Sequence, residues 1–203
     1  MSTLLPTKSN LLKLKKTIKL SKQGHELLEK KKYILINEKE KYIDAKKELE
    51  EKFKLEYNKA FQALQNANID MGINKVYDIS DSLEIDNDLD IKYKTIMGVE
   101  IPLTSYTNKQ NPELTFGLLG TTINIDEAIV AFQNLKNTLI ELAKLETTIV
   151  RLTEAISKVQ KRSNSLKDII IPNYLKTEKN IQSILDERDR EEFTRMKMIK
   201  RTK

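Results

Sequence analysis

The stretch LAKLETTIVRLTEAISKVQKRSNSLKDII, Leu142 to Ile170, holds neither glycine nor proline. It sets Leu142, Leu145, Ile149, Leu152, Ile156, Val159, Ser163, Leu166 and Ile170 at alternating steps of three and four. An α-helix turns once in about 3.6 residues, so this rhythm draws one narrow stripe along one side of a long helix. Charged residues such as Lys144, Arg151, Glu154, Lys158 and Lys161 fill the other sides. A stripe this long and this narrow points to a coiled coil and not to the broad apolar face of a globular-domain helix.

Upstream the stripe runs through Leu139, Leu135, Phe132 and Ala128, with one extra three-residue step at Leu142 to Leu145, an insertion of the kind that changes local winding. Downstream, Ile181, Leu185, Phe193 and Ile199 resume it past Pro172. Proline removes one hydrogen bond and kinks a helix, so the spacing predicts a kinked helix that continues. Asp186 with Arg190, and Glu191 with Arg195, stand in the favourable order at four residues' separation.

The N-terminal arm repeats the pattern. Positions 11, 14, 18, 21, 25, 28, 32, 35, 39, 42, 46, 49, 53, 56, 60 and 63 alternate the same steps, and Leu11, Leu14, Ile18, Leu28, Leu35, Tyr42, Leu49, Phe53, Ala60 and Ala63 among them are apolar. Thr7 after Pro6 suits a helix cap, and Asn124 before Asp126 and Glu127 suits another. Helices over about residues 8–66 and 125–200 would be roughly 90 and 110 Å long. Neither stripe buries enough to hold its helix alone in water. The economical solution pairs the two antiparallel, with both termini at one end.

Residues 72–120 hold four of the five glycines and two of the four prolines, and so mark a different middle. There Leu83 and Ile85, then Leu89, Ile91 and Tyr93, alternate around Asp86-Asn87-Asp88, the pattern of a short hairpin with a polar turn. The expected fold is thus all-α dominated: a long antiparallel two-helix coiled coil from residues 1–68 and 124–203, with a middle region over 69–123 that carries a short β-hairpin.

Composition narrows the function. Of 203 residues 33% are charged and 39% hydrophobic, with no Trp, which disfavours one large core. There is no Cys, so disulfides and thiolate metal sites are excluded. No apolar run approaches the roughly 18 to 20 residues of a membrane span, and MSTLLPTKSN lacks a secretion signal's basic start and apolar centre, so no direct membrane insertion is expected. The net charge of +6 is spread as two basic arms around an acidic middle.

The motifs argue against chemistry. Asp86, Asp88 and Asp90 are spaced like a calcium loop, but Ile91 stands where glycine is needed and Met97 where a bidentate Glu belongs. Gly117-Leu-Leu-Gly120 lacks the Lys and Ser/Thr of a phosphate loop. His25, the chain's only histidine, cannot build a zinc cluster without Cys, and helical spacing sets neither a Ser nor a carboxylate pair beside it. The arms mix both charge signs and do not line aromatics up with basic residues, so no nucleic acid is expected. We expect no catalytic, cofactor or metal site.

Four collinear stretches resemble the central-shaft D subunit of the vacuolar and archaeal-type (V/A-type) rotary ATPases. They are PTKSNLLKLKKTIKLSKQGHELLEKKK (6–32), MGVEIP (97–102), the block from Leu142 to Leu185, and DERDREEFTRMKMIK (186–200). Together they span Pro6 to Lys200. Family members often carry Arg-Arg-Val-Asn-Ala-Leu where this chain has Lys161-Arg162-Ser-Asn-Ser-Leu166, and the first arm has no Arg, so bidentate contacts there would fall to Lys.

The resemblance implies a rotor shaft that hydrolyses nothing and couples ATP hydrolysis or synthesis to H⁺ or Na⁺ transport. The complex would lie on the cytoplasmic face of the membrane. Both termini would enter a ring of catalytic A and noncatalytic B subunits, through Pro6, Thr7, Lys8, Arg188, Arg190, Phe193, Arg195 and Lys197. Leu11, Leu14, Ile18, Gly24, His25, Leu28, Leu152, Ile156, Val159, Leu166 and Pro172 would pack the shaft, with Gly24 and His25 placed where helices or a collar approach closely. The middle, with Met97, Gly98, Val99 and Pro102, would face the membrane-side socket of the rotor, and a smaller F subunit would bind the shaft. A static coiled-coil tether is the reading from another class.

Overall fold

In the computed structural model the described residues are 5–83, 89–106, 117 and 120–201. Helix α1 runs unbroken from Lys8 to Met71, and α2 from Ile73 to Ser82. Strands β1 (Leu89–Ile96) and β2 (Val99–Tyr106) follow, then α3 (Ile123–Asn164), a π-helical turn (Ser165–Ile170) and α4 (Ile171–Arg201). The contacts divide the chain into two compact units, Met1–Ile34 with Ile156–Lys203, and Leu35–Ala155.

In the first unit the start of α1 lies antiparallel to α4. Thr7 caps α1, its Oγ1 accepting from the Asn10 backbone N–H at 3.3 Å. Leu11, Leu14 and Ile18 form a buried cluster with Ile181 and Leu185, and Tyr174 and Leu175 pack against it. Lys8 pairs with Asp189 at 3.3 Å and Lys15 with Glu178 at 4.0 Å, and Arg188 donates to the Pro6 carbonyl at 3.3 Å.

In the second unit the rest of α1 runs along α3. Lys46 bridges Glu146 at 2.8 Å and Glu50 at 3.2 Å, and both carboxylates raise its pKa, Glu146 more. None of the sixteen stripe positions of α1 is exposed across the two units. The α3 stripe holds except at one point. Leu139 is 49% exposed, and its neighbour Thr138 is buried, with a hydroxyl that meets the Glu56 carboxylate. The extra three-residue step therefore falls at Leu135 to Thr138, two turns earlier than the leucines suggest, because a threonine can stay satisfied on the seam through the Asn134 carbonyl at 3.1 Å and Glu56.

The middle differs more from expectation. Gly72, at φ 82°, ends α1, and α2 turns back so that Val76 is buried with Ala67 and Ile125. The strand begun by Leu89, Ile91 and Tyr93 exists, but it pairs with residues 99–106, in a register that sets Leu89 opposite Tyr106 and Ile96 opposite Val99. The turn is Met97-Gly98, at φ 50° and 79°, the two successive positive values that a tight two-residue hairpin turn needs. The polar turn expected at Asp86-Asn87-Asp88, and Ile85 before it, lie outside the described residues. Asn124 sits one residue inside α3 and does not cap it; its side chain donates to Asp70.

Pro172 lies inside a continuous helix, as the resumed stripe predicts, but the turn before it is widened and not simply kinked. Ile171 donates its N–H to the Leu166 carbonyl, five residues back. No helix among the described residues is long and apolar enough to cross a membrane.

Candidate functional site

The end of α4 is helical for local reasons: no glycine or proline follows Pro172, and charges pair along its surface. Arg195 meets Glu191 at 3.6 Å, four residues apart as expected. Arg190 meets Glu187 at 3.5 Å and not Asp186, whose carboxylate accepts from Gln182 at 2.9 Å. Every residue from Asp186 to Arg201 is exposed, including Phe193, Met196 and the cations Arg188, Arg190, Arg195 and Lys197. Pro6 and Lys8 reach only as far as Arg188 and Asp189. The C-terminal tip therefore extends past the start of α1 by about a dozen residues, roughly 18 Å of helix.

The second place that gathers chemistry-bearing side chains is the seam at His25. Ser163, fully buried, sets its Oγ 2.8 Å from His25 Nδ1 and 2.6 Å from Glu29 Oε1. Glu29 Oε2 accepts in turn from Lys32. A hydroxyl has one proton and a carboxylate has none to give, so Ser163 donates to Glu29 and accepts from His25 Nδ1–H. Lys32 foremost, and then Ser163, hold the Glu29 carboxyl below its ordinary pKa, against a smaller opposing effect of burial.

Serine, histidine and a carboxylate within hydrogen-bond reach invite comparison with a nucleophilic triad. The order is wrong for one. The serine lies between the other two, the nitrogen facing it carries the proton, and the hydroxyl is closed to any substrate. The network joins two helices through a polar seam and has the geometry of a satisfied packing contact. Spacing along one helix does not reveal it, because Ser163 comes from the opposite strand of the coiled coil. The usable signal is that two stripe positions, 25 and 163, are polar and must face something.

The expected packing residues are placed as follows. Leu11, Leu14, Ile18, Leu152 and Val159 are buried, and His25, Leu28, Ile156 and Leu166 are partly so. Pro172 is exposed. A Cβ added at Gly24 would meet nothing within 4 Å among the described residues, so close approach of this chain's own helices does not account for that glycine. At the hairpin, Met97 is half-exposed and Pro102 is buried. Arg151 on α3, a residue that spacing did not single out, donates to the Glu100 carbonyl at 3.0 Å and lies 5.0 Å over the Tyr93 ring, so it straps the hairpin to the helix.

Comparison with known proteins agrees along nearly the whole length. The family model for the D subunit of ATP synthase matches residues 10–201. The D subunit of a V-type ATP synthase from Thermotoga neapolitana is 32% identical over 195 residues, 96% of this chain and 96% of that protein. The D subunit of an A-type ATP synthase from Methanobrevibacter smithii is 38% identical over 97% of this chain and 86% of its own length. Its counterpart from Pyrococcus abyssi is 34% identical over 96% and 92%.

Proposed function

The chain belongs to the D-subunit family of ATP synthases, whose members are parts of V-type and A-type complexes, and from that premise we propose that it is the noncatalytic central rotor of its complex. It turns inside a ring of catalytic A and noncatalytic B subunits and passes torque between ATP chemistry there and H⁺ or Na⁺ movement in a membrane sector. Residues 1–68 and 124–203 are its shaft. The middle, 69–123, faces the membrane-side socket of the rotor through Met97, Gly98 and Val99, with Pro102 buried behind them, the F subunit sits on the shaft, and the complex lies on the cytoplasmic face of the membrane.

The observation that supports this best is the tip. Sixteen consecutive residues, Asp186 to Arg201, are exposed, and their apolar and charged side chains lie outside the chain's buried clusters. A solvated tip gains little from such pairs, about 0.3–0.5 kcal/mol each. Inside a ring the same groups are partly desolvated, and charge then decides which surface each one meets. Arg188, Arg190, Phe193, Arg195 and Lys197, with Pro6, Thr7 and Lys8 beside them, are the residues we assign to that contact. A two-helix shaft presents different side chains in each direction, so three chemically alike catalytic sites meet three different surfaces. Gly24, unoccupied from within, suits a close approach by the collar.

The test is purification of the native complex through this chain, with partners identified by mass spectrometry. One copy per nucleotide-binding ring, and no ATP turnover by the chain alone, is the expected result. A turnover of the isolated chain that a point substitution abolishes would overturn the reading, and capture without any nucleotide-binding protein would leave a static tether in its place.

A further inference from the structure

The seam of the C-terminal arm changes phase once within its compact unit. Ile156, Val159, Ser163 and Leu166 follow steps of three, four and three, with Val159 and Ser163 buried. The same rhythm carried forward would take Ile170, Asn173, Thr177, Asn180 and Ile184. The structure instead buries Ile181 and Leu185, at 3% and 8% exposure, against Leu11, Leu14 and Ile18. Asn180 is exposed and Ile184 is 44% exposed. The seam has slipped by one residue between Leu166 and Ile181, and one residue is about 100° around an α-helix.

The slip has a structural seat. Ser165–Ile170 is a π-turn, in which Ile171 donates to Leu166 across five residues and not four. A π-turn is an α-helix with one residue inserted. Pro172 stands directly after it. In a regular α-helix its ring would crowd the Asp168 carbonyl four residues back, and it has no N–H to offer there. Two causes therefore coincide, a surplus residue and a proline, and they predict different behaviour.

We propose that the turn at 165–170 is a phase corrector: it absorbs one surplus residue so that Ile181 and Leu185 return to the seam, and it thereby fixes the direction in which the Arg188, Arg190 and Phe193 side chains of the tip face. Residue count sets it, and Pro172 only finds the widened turn convenient. The inference goes beyond the rotor reading and holds whether or not the chain rotates, because it concerns the register of the chain by itself.

The chain has no cysteine, so register can be read by disulfide trapping in the full chain. Leu14→Cys crosslinks to Ile181→Cys and not to Asn180→Cys. Deleting Lys167, exposed within the turn, turns it into ordinary α-helix, keeps the 14–181 crosslink and leaves the melting temperature within about 3 °C. Pro172→Ala also keeps the 14–181 crosslink, whereas one alanine inserted after Lys167 abolishes it. If Pro172→Ala moves the crosslink to position 180, the proline and not the count sets the phase and the proposal fails. It fails equally if the Lys167 deletion loses the crosslink or lowers melting by about 10 °C or more.

Discussion

The start of α1 and the end of α4 belong to one compact unit and are written in the same alphabet, yet they are treated oppositely. Leu11, Leu14 and Ile18 are buried against Ile181 and Leu185, although lysines surround them. Phe193 and Met196, spaced three apart like seam residues, are 65% and 63% exposed. The difference lies in what runs alongside. Near Lys8 and Asp189 the two strands of the coiled coil meet, and beyond that pair α4 continues while the described part of α1 does not. An apolar stripe stabilises a helix only where a second stripe faces it. The seam holds the chain together, and the side chains of the tip stand outside its buried clusters.

The largest effect that would break this comparison is expected at the seam. Leu14→Ala removes a buried side chain from the terminal cluster and should destabilise the isolated chain by about 2–5 kcal/mol in denaturant titration. Phe193→Ala should change it by no more than about 0.5 kcal/mol. Equal effects would mean that the tip is packed in solution. A smaller effect is expected at the polar seam. Ser163→Ala takes the shared hydroxyl from between His25 and Glu29 and should cost about 1–2 kcal/mol.

Smaller still is an acid response. The Glu29 carboxyl titrates below its ordinary value of 4.5 because Lys32 and Ser163 favour its charged form. A group with a depressed folded pKa contributes stability that is present above the unfolded value and is lost as pH falls through the folded one. The Lys32 and Ser163 contribution should therefore be complete above pH 4.5 and fade below it. Glu29→Gln should flatten that part of the stability profile and leave the rest unchanged; an unchanged acid limb would remove Glu29 from the seam's energetics. The smallest effect on the isolated chain belongs to the tip. Arg190→Gln with Arg195→Gln should move its melting by no more than about 1 °C. On the rotor reading proposed above, the same pair should weaken retention of the chain in the catalytic ring, more so as salt is raised.

Much of this fold is legible in the sequence because a coiled coil writes its contacts at a fixed period, and two such stripes leave few arrangements other than an antiparallel pair. Where the period carries polar residues the reading slips. Leu139 attracts the eye as the seam residue, yet Thr138 holds the place because its hydroxyl is satisfied there. The hairpin illustrates a second limit. Asp86-Asn87-Asp88 has turn composition, but Met97-Gly98 makes the turn, with a methionine at positive φ that composition does not announce. The α2 helix, the π-turn and the Ser163 network depend on residues far apart in the chain, or on counting across a proline. The tip residues can be picked out from the sequence only through the family resemblance, since exposure leaves no periodic mark.

Rotation itself is the most direct measurement. Lys92, exposed on β1 in an otherwise cysteine-free chain, accepts a cysteine that can carry a bead, with the complex fixed to a surface through its catalytic ring. Addition of ATP should turn the bead in one direction, in steps that slow as ATP is diluted. A bead that stays still while the same complexes hydrolyse ATP at full rate would contradict the assignment of this chain to the rotor.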